Sequence, residues 1–485
     1  MRTYLSVILL ACTVKAWAGT ATINIDTTKP GPSLNPSMYG IFLEEINHSV
    51  DGGLYAELIA NRAFEDSRSP EGFTLQDGRY KDEKGYDSGF EVRPGRVPRW
   101  SLLCDGDAKG EMHIESTGGL NENTPYCLRL DVEDLTNGRV GIANNGFWGI
   151  GATKKAKYDL SLYARADQPF QRSLSVRLEN GDGAACSQAK KFTGLAANWR
   201  QFKATLTATV TEPKARLVVT VDAPGTVWLD FVSLFPRKTF KNRPNGLRSD
   251  IAQMIADLKP GFVRFPGGCV VEGGTVETAY NWKLTVGPVE QRPERWSAWN
   301  YRRTHGMGFY EYLQFCEDIG AKPLHVGFAG QTCLYRHAEH VPMEEMDWVV
   351  AGFTDAIEYA NGPADSKWGR LRAQAGHPEP FEMRLVEIGN ENGMQQYEDR
   401  YKLIHSAAKK AYPDLKYIAD YAIPGAQFDM VDHHFYNSPQ WFLSQFDHYD
   451  RSAAPVYVGE VAVTSGEGLA TSKAISSLRW PRVSF

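Results

Sequence analysis

Repeated helix–strand units are the feature that most constrains the fold of this chain. Apolar residues recur at helical spacing in four segments, and a short apolar run follows each of them. The helical segments are 247–258, 309–319, 348–360 and 401–411, and the runs are 261–265, 324–329, 383–389 and 415–419. Buried strands that alternate with helices indicate a parallel sheet, because each helix returns the chain to the edge where the previous strand began.

Three further apolar runs, at 38–44, 430–436 and 456–463, bring the number of predicted strands to seven. The sequence therefore predicts an α/β fold, a (β/α)8 barrel of the TIM type that apparently lacks its last βα unit. Too few residues follow position 460 for an eighth strand and its helix. We therefore expect a C-terminally truncated barrel of low stability, because an open sheet exposes its edges.

A different pattern occupies the middle of the chain, from about residue 91 to 236. Apolar and polar residues alternate there, as in the apolar series Tyr158, Leu160, Leu162 and the series Leu174, Val176, Leu178. Alternation of this kind predicts antiparallel strands with one buried face. We predict four segments: a leader at 1–18, the first part of the barrel at 36–95, an inserted all-β jelly roll or sandwich at 96–237, and the rest of the barrel at 238–485.

The first residues resemble a signal peptide. Arg2 precedes an apolar run at 5–11, and Ala16-Trp17-Ala18 fits a cleavage site. The run is too short to span a membrane, which takes about 20 residues. We expect an exported protein that is periplasmic, bound to the outer surface or extracellular, with Cys12 as a candidate lipid anchor because Leu9-Leu10-Ala11-Cys12 resembles a lipobox.

Charge and cysteine spacing exclude several classes of function. The chain has 53 basic and 58 acidic residues without a basic cluster, so we expect no nucleic-acid partner. None of the seven cysteines has C-x-x-C spacing and there is no H-E-x-x-H motif, so we expect no metal and no cofactor. The adjacent pair His433-His434 does not indicate a metal site, because neighbouring side chains on a strand point to opposite faces.

Two glutamates stand where catalytic groups of a barrel are found, at the C-terminal ends of strands. Glu391 follows the predicted fourth strand and Glu460 lies in the seventh. A protonated and an ionised carboxyl that face each other across a ligand can cleave an acetal. The alternative is that each glutamate is simply a solvated side chain at a strand end.

Several motifs resemble glycoside hydrolase family 51, the α-L-arabinofuranosidases. They are Tyr39-Gly-Ile-Phe-Leu-Glu-Glu-Ile-Asn-His48, Arg264-Phe-Pro-Gly-Gly-Cys269, Glu387-Ile-Gly-Asn-Glu391 and Tyr457-Val-Gly-Glu-Val-Ala-Val463. The resemblance runs from about 36 to 465 outside the insert, with the motifs in the expected order. It implies a retaining enzyme that removes terminal α-L-arabinofuranosyl groups from arabinose-containing plant polysaccharides or oligosaccharides, such as arabinan and arabinoxylan.

The resemblance also implies roles for individual residues. Glu391 matches the general acid/base and Glu460 the nucleophile. The residues that match sugar-binding or supporting positions are Glu44, Arg264, Cys269, Asn390, His434 and Tyr436.

Each of these supporting residues has its own expected role. Asn390 is expected to bind the 2-hydroxyl, Tyr436 to hydrogen-bond the nucleophile, and His434 to steady the acid/base. Glu44 is expected to bind sugar hydroxyls, or else to be a buried acid paired with Arg264.

Arg264 is expected to orient Glu460 or to form a purely structural ion pair. For Cys269 we expect a contact with the sugar rather than chemistry.

The end of the insert, 225–236, resembles the last strand of carbohydrate-binding modules of families 4 and 9. Trp148 and Trp228 are candidate stacking faces, with core packing expected for Trp228. Two alternatives stay open: an endoglucanase or xylosidase on the same barrel, and a truncated inactive fragment that at most binds sugar.

Overall fold

Seven parallel strands form the central sheet of the protein. The structure is a computed structural model that describes residues 22, 24–29, 35–83, 85–89, 96–167, 173–445, 447–449 and 455–464. The strands pair in chain order: β1 Ile41–Phe42, β2 Phe262–Phe265, β3 Lys322–Gly327, β4 Leu385–Ile388, β5 Lys416–Ala419, β6 Met430–Asn437 and β7 Val456–Val463. The predicted α/β barrel sheet is confirmed, and the leader and Cys12 lie outside the described residues.

Helices connect these strands, and four of the seven within the described residues lie where the sequence predicts a helix. The seven are α1 Ser249–Asp257, α2 Cys269–Glu272, α3 Phe309–Ile319, α4 Asp347–Asn361, α5 Lys367–Gln374, α6 Met394–Ala411 and α7 Pro439–Ser444. The helix α3 shows why they form, because Phe309, Leu313 and Cys316 recur at helical spacing and are all buried. Gly320 then ends this helix in the left-handed conformation, with its N–H bonded to Cys316 O.

Two antiparallel sheets lie between β1 and β2 in the sequence. One contains Trp100–Cys104, Val140–Asn144, Ile150–Ala152, Ser173–Glu179, Lys190–Thr193 and Glu212–Val221, and the other Lys109–Glu115, Cys127–Asp134, Lys157–Ala166, Arg200–Thr207 and Gly225–Pro236. Alternate residues of Lys157–Ala166 are buried, as a sheet with one covered face requires. Apolar side chains from both sheets share one core.

Trp228 is not part of that core, so the expectation of core packing is wrong. Its ring is half-buried, and the guanidinium carbon of Arg165 lies 4.1 Å from the ring centroid. The indole Nε1 donates to Glu115 at 2.9 Å. Because Trp228 occupies the polar face of its strand, charged neighbours cover the ring instead of apolar side chains. Trp148, by contrast, is 63% exposed.

A buried polar junction joins the β-sheets to the barrel. Glu57 accepts hydrogen bonds from the hydroxyl of Ser233 at 2.6 Å and from the N–H of Leu234 at 2.9 Å. Arg62 lies 3.3 Å from the same carboxylate. The segment after β1 is therefore fixed to the last strand of the β-sheet region. Within the described residues, none of the helices combines the length and the apolar character that crossing a membrane requires.

Candidate active site

Glu460 occupies a bulge in β7. His433 pairs with Val458 and His434 with Glu460, so Gly459 is the extra residue of the β7 strand. The N–H of Gly459 donates to Asp432 at 2.6 Å, and a Cβ at position 459 would clash with that carboxylate. Glycine at this position therefore lets β7 approach β6 closely and turns Glu460 into the barrel.

Two side chains hold the Glu460 carboxylate, one at each oxygen. The guanidinium of Arg264 donates from Nη1 to Oε1 at 3.0 Å, and the hydroxyl of Tyr436 donates to Oε2. Both donors favour the ionised carboxylate. Burial and the charge of Glu460 raise the pKa of Tyr436, so its hydroxyl keeps its proton. Both oxygens of the Glu460 carboxylate are therefore held in place by hydrogen bonds.

Arg264 lies behind Glu460 and not on the wall of the site, since it has no exposed surface. It donates to Glu387 from Nε at 2.9 Å and from Nη2 at 2.6 Å, and to the amide oxygen of Asn390 at 2.8 Å. One guanidinium thus joins residues from β2, β4 and β7. The guanidinium therefore orients the side chains that surround it.

Glu391 stands just beyond the end of β4, in a strained backbone conformation. Its φ is 47°, a left-handed value that non-glycine residues seldom adopt. Its side chain is 25% exposed, and Oε1 accepts from Nδ1 of His434 at 3.0 Å. Strain of this kind is common where backbone geometry aims a functional group. Glu391 is therefore the more accessible of the two carboxyls.

Alternate residues of β6 face the site, because side chains of a strand alternate. They are Asp432, His434 and Tyr436. His434 donates to Asp432 at 3.0 Å as well as to Glu391. Although burial opposes the charge, Asp432 and Glu391 raise the pKa of His434 to about 11. This shift favours the imidazolium, whose proton a metal ion between Glu391 and Glu460 would have to displace.

The two proposed catalytic carboxyls are close together. An oxygen of Glu391, Nδ1 of His434 and an oxygen of Glu460 all lie within 4.8 Å of one another. Retaining glycosidases hold their carboxyl groups about 5–5.5 Å apart, and inverting ones about 6.5–9.5 Å. The nearest oxygens of Glu391 and Glu460 are thus closer than the separation of about 6.5–9.5 Å in an inverting pair.

Glu44 follows β1 and is buried beside Glu460. It accepts from the N–H of Val270 at 2.9 Å and from Nε1 of Trp299 at 3.1 Å. Burial and the charge of Glu460 raise the pKa of Glu44 to about 7. The alternative pairing of Glu44 with Arg264 is wrong: among the described residues the arginine pairs with Glu387, Asp432 and Glu460, because its side chain points across the barrel.

The chain resembles known proteins over most of its length. A family model described as Alpha-L-arabinofuranosidase 1 domain matches residues 254–454. The chain is 37% identical over 470 residues to an extracellular exo-alpha-L-arabinofuranosidase of Streptomyces chartreusis, covering 91% of this chain and 52% of the relative. It is 35% identical over 476 residues to alpha-L-arabinofuranosidase 1 of Arabidopsis thaliana, covering 94% and 65%. It thus spans about half to two thirds of these relatives.

A solved structure of an arabinose-bound GH51 α-L-arabinofuranosidase is similar as well, with a TM-score of 0.77 and 32% identity, covering 89% of this chain and 67% of that one. The chain belongs to the α-L-arabinofuranosidase family GH51. The family model spans the positions of Glu391 and of the β6 residues, whereas Glu44 and Glu460 lie outside it.

Sequence reasoning missed four residues of this GH51 site, of which three are buried and Trp299 is half-buried. They are Glu272, Trp299, Glu387 and Asp432. Asp432 could have been found because it lies two residues before His434 on the same strand. Glu387 could have been found because it lies four residues before Glu391. Glu272 and Trp299 gave no pattern, because they lie in connections between strands.

Proposed function

We propose that this chain is a retaining α-L-arabinofuranosidase that removes terminal α-L-arabinofuranosyl groups. The observation that carries the proposal is the pair Glu391 and Glu460, whose nearest oxygens lie within 4.8 Å at the ends of β4 and β7. Membership of the GH51 family supports the choice of sugar, since the two relatives compared above are named arabinofuranosidases.

Catalysis proceeds in two displacements. In the first, Oε of Glu460 forms a bond to the anomeric carbon while Glu391 gives its proton to the leaving oxygen, and the glycosidic bond breaks. In the second, Glu391 takes a proton from water, whose oxygen displaces Glu460 at the same carbon. Two inversions give net retention. Arg264 and Tyr436 keep Glu460 ionised and oriented through their bonds to its two oxygens.

The supporting residues recognise the sugar from several sides. Glu44 and Trp299 form one hydrogen-bonded wall, and Asn390 has its amide oxygen held by Arg264 while its Nδ2 donates to Glu272 at 2.9 Å. The second N–H of that amide is available to the 2-hydroxyl. Cys269 is half-buried beside Glu391 and contacts the sugar without reacting.

The natural substrate in this proposal is a plant arabinan or arabinoxylan outside the cell. Support comes from the leader pattern at 1–18 and from the extracellular relative. The inserted β-sandwich at 96–237 contributes polysaccharide binding. Trp148 is 63% exposed, and it borders a cavity of about 780 Å³ that Phe147, Arg99 and Lys214 also line. An exposed indole is a suitable face for a sugar ring.

The decisive experiment compares the chain with Glu391→Ala and Glu460→Ala on aryl α-L-arabinofuranosides. Wild type should release arabinose with retained configuration. Glu460→Ala should be inactive, because no covalent intermediate forms. Glu391→Ala should still cleave a nitrophenyl glycoside, whose leaving group needs little protonation, and should fail on an alkyl glycoside. Added azide should give a retained glycosyl azide with Glu391→Ala and an inverted one with Glu460→Ala.

Glu344→Gln is the matched control, because Glu344 is exposed and lies outside the site. Its activity should equal that of wild type. Release of arabinose with inverted configuration would contradict the mechanism, and cleavage of cellulose or xylosides without arabinofuranosides would contradict the substrate. A folded protein that binds arabinoxylan but cleaves no glycoside would make it a sugar-binding protein.

A further inference from the structure

Two cysteines and a glutamate meet behind the acid/base. Sγ of Cys269 and Sγ of Cys333 are 3.6 Å apart, and one ligand atom each from Cys269, Cys333 and Glu272 lie within 4.8 Å of one another. Ligands about 2.3 Å from a tetrahedral zinc ion are about 3.8 Å apart. The sulfur pair already has nearly that separation.

Glu272 is the unusual member of this group. It is 1% exposed, and its two oxygens accept from the side-chain amides of Asn390 at 2.9 Å and Asn392 at 3.1 Å. Within the described part of the chain, no lysine, arginine or histidine forms an ion pair with it. Buried carboxylates are ordinarily paired with a cation or bound to a metal. A cation at the two sulfurs would give the Glu272 carboxylate a charged partner.

The group is reached from the active site. Cys269 is half-buried and its Sγ lies 4.0 Å from Oε2 of Glu391, whereas Cys333 is 2% exposed. An ion held by three protein ligands keeps a fourth position open for water or another oxygen. Glu391 is the nearest candidate for that position.

We propose that Cys269, Cys333 and Glu272 form a binding site for a thiophilic divalent cation of the zinc type. The bound cation takes Glu391 as a further ligand, so that Glu391 no longer acts as the acid/base. Binding replaces the two thiol protons and the proton of the Glu272 carboxyl, all of which pass to the solvent, and no electron transfer is involved. The site is separate from the catalytic chemistry proposed above, so the free enzyme works without the ion. The effect on activity rests on the proposed function, whereas the binding itself does not.

The test measures metal content and activity separately on the full chain. The protein is reduced, freed of reductant, mixed with zinc chloride, desalted and analysed for zinc by mass spectrometry. We expect one zinc per chain, and a thiolate-to-metal absorption band when cobalt(II) replaces zinc. With an aryl arabinofuranoside, zinc should abolish most activity and a chelator should restore it.

Cys333→Ser tests the site, and Cys104→Ser is the matched control because Cys104 is exposed on the β-sandwich. Cys333→Ser should lose the bound zinc while Cys104→Ser keeps it, and Glu272→Gln should hold zinc more weakly. Circular dichroism checks that the variants fold, and if Cys333→Ser does not, Cys333→Ala replaces it.

Three results would overturn the proposal. The first is that the reduced protein binds no zinc. The second is that Cys104→Ser and Cys333→Ser lose zinc equally. The third is that Cys269 and Cys333 form a disulfide and the protein still binds no zinc after that disulfide is reduced. Stoichiometric binding without inhibition would overturn the claim about Glu391. None of the binding results depends on which glycoside the enzyme cleaves.

Discussion

Arg264 and Glu460 form an ion pair inside the barrel, with Nη1 of the guanidinium 3.0 Å from Oε1 of the carboxylate. The pair joins β2 to β7, two strands that are not neighbours in the sheet. This ion pair is possible only because the sheet curls until its second and last strands face each other. The position of Glu460, the proposed nucleophile, is therefore tied to the curvature of the sheet.

Replacing Arg264 should damage both stability and activity. In Arg264→Met the carboxylates of Glu387 and Glu460 lose their buried partner, which costs about 3–5 kcal/mol of unfolding free energy. Urea unfolding measures this loss. Arg248→Met is the control, because Arg248 pairs with Asp250 at 2.6 Å on an exposed surface and should change stability by less than about 1 kcal/mol. Equal effects of the two substitutions would show that the buried network contributes little.

Tyr436→Phe should slow catalysis while leaving the fold intact. The substitution removes one hydrogen bond to the Glu460 carboxylate, a loss of about 1.5–3 kcal/mol for a charged acceptor, or about ten- to a hundredfold in kcat. Steady-state kinetics on an aryl arabinofuranoside measures the effect. Tyr421→Phe, which removes a similar bond to Glu398 at 3.2 Å, should leave kcat unchanged. A pure rise in KM would assign Tyr436 to substrate binding instead.

Glu44→Gln should stabilise the protein more as the pH rises. The folded state holds the Glu44 proton more tightly than the unfolded chain, because burial raises the pKa of Glu44 from its ordinary value of 4.5 to about 7. Ionising the buried carboxyl therefore costs stability as pH rises across that interval.

The advantage of Glu44→Gln over wild type should grow between pH 4.5 and 7 and then level off, with a total gain on the order of 3 kcal/mol. Urea unfolding at several pH values measures it, and Glu133→Gln on the exposed surface is the control. Parallel stability curves for Glu44→Gln and wild type would refute the prediction.

Trp148→Ala should weaken binding to polysaccharide without changing hydrolysis of a small glycoside. The indole is exposed and its ring lies 5.6 Å from that of His48, in the segment after β1. Affinity electrophoresis in arabinoxylan measures binding, and we expect a loss of about 1–3 kcal/mol if one sugar ring stacks there. Trp199→Ala, in the connection just before the strand Arg200–Thr207 of the other sheet, should bind like wild type. Unchanged retardation of Trp148→Ala would remove the insert from the binding proposal.

The sequence by itself determined the elements and the position of the two glutamates along them. Helical spacing in 309–319 and alternation in 158–166 depend only on neighbouring residues, so α3 and the strand Lys157–Ala166 could be predicted. The rule that barrel sites lie at the C-terminal ends of strands then singled out Glu391 and Glu460. No long-range information was needed for these steps.

Only the tertiary structure decided which side chains meet. Cys269 and Cys333 are 64 positions apart, and no spacing rule joins them, yet their sulfurs are in contact. Trp228 looked apolar in its local context but faces charged residues. Curling the sheet brings Arg264 to Glu460 across 196 positions. Such contacts arise from packing between distant elements, which local patterns do not encode, because each local pattern is compatible with many arrangements of its neighbours.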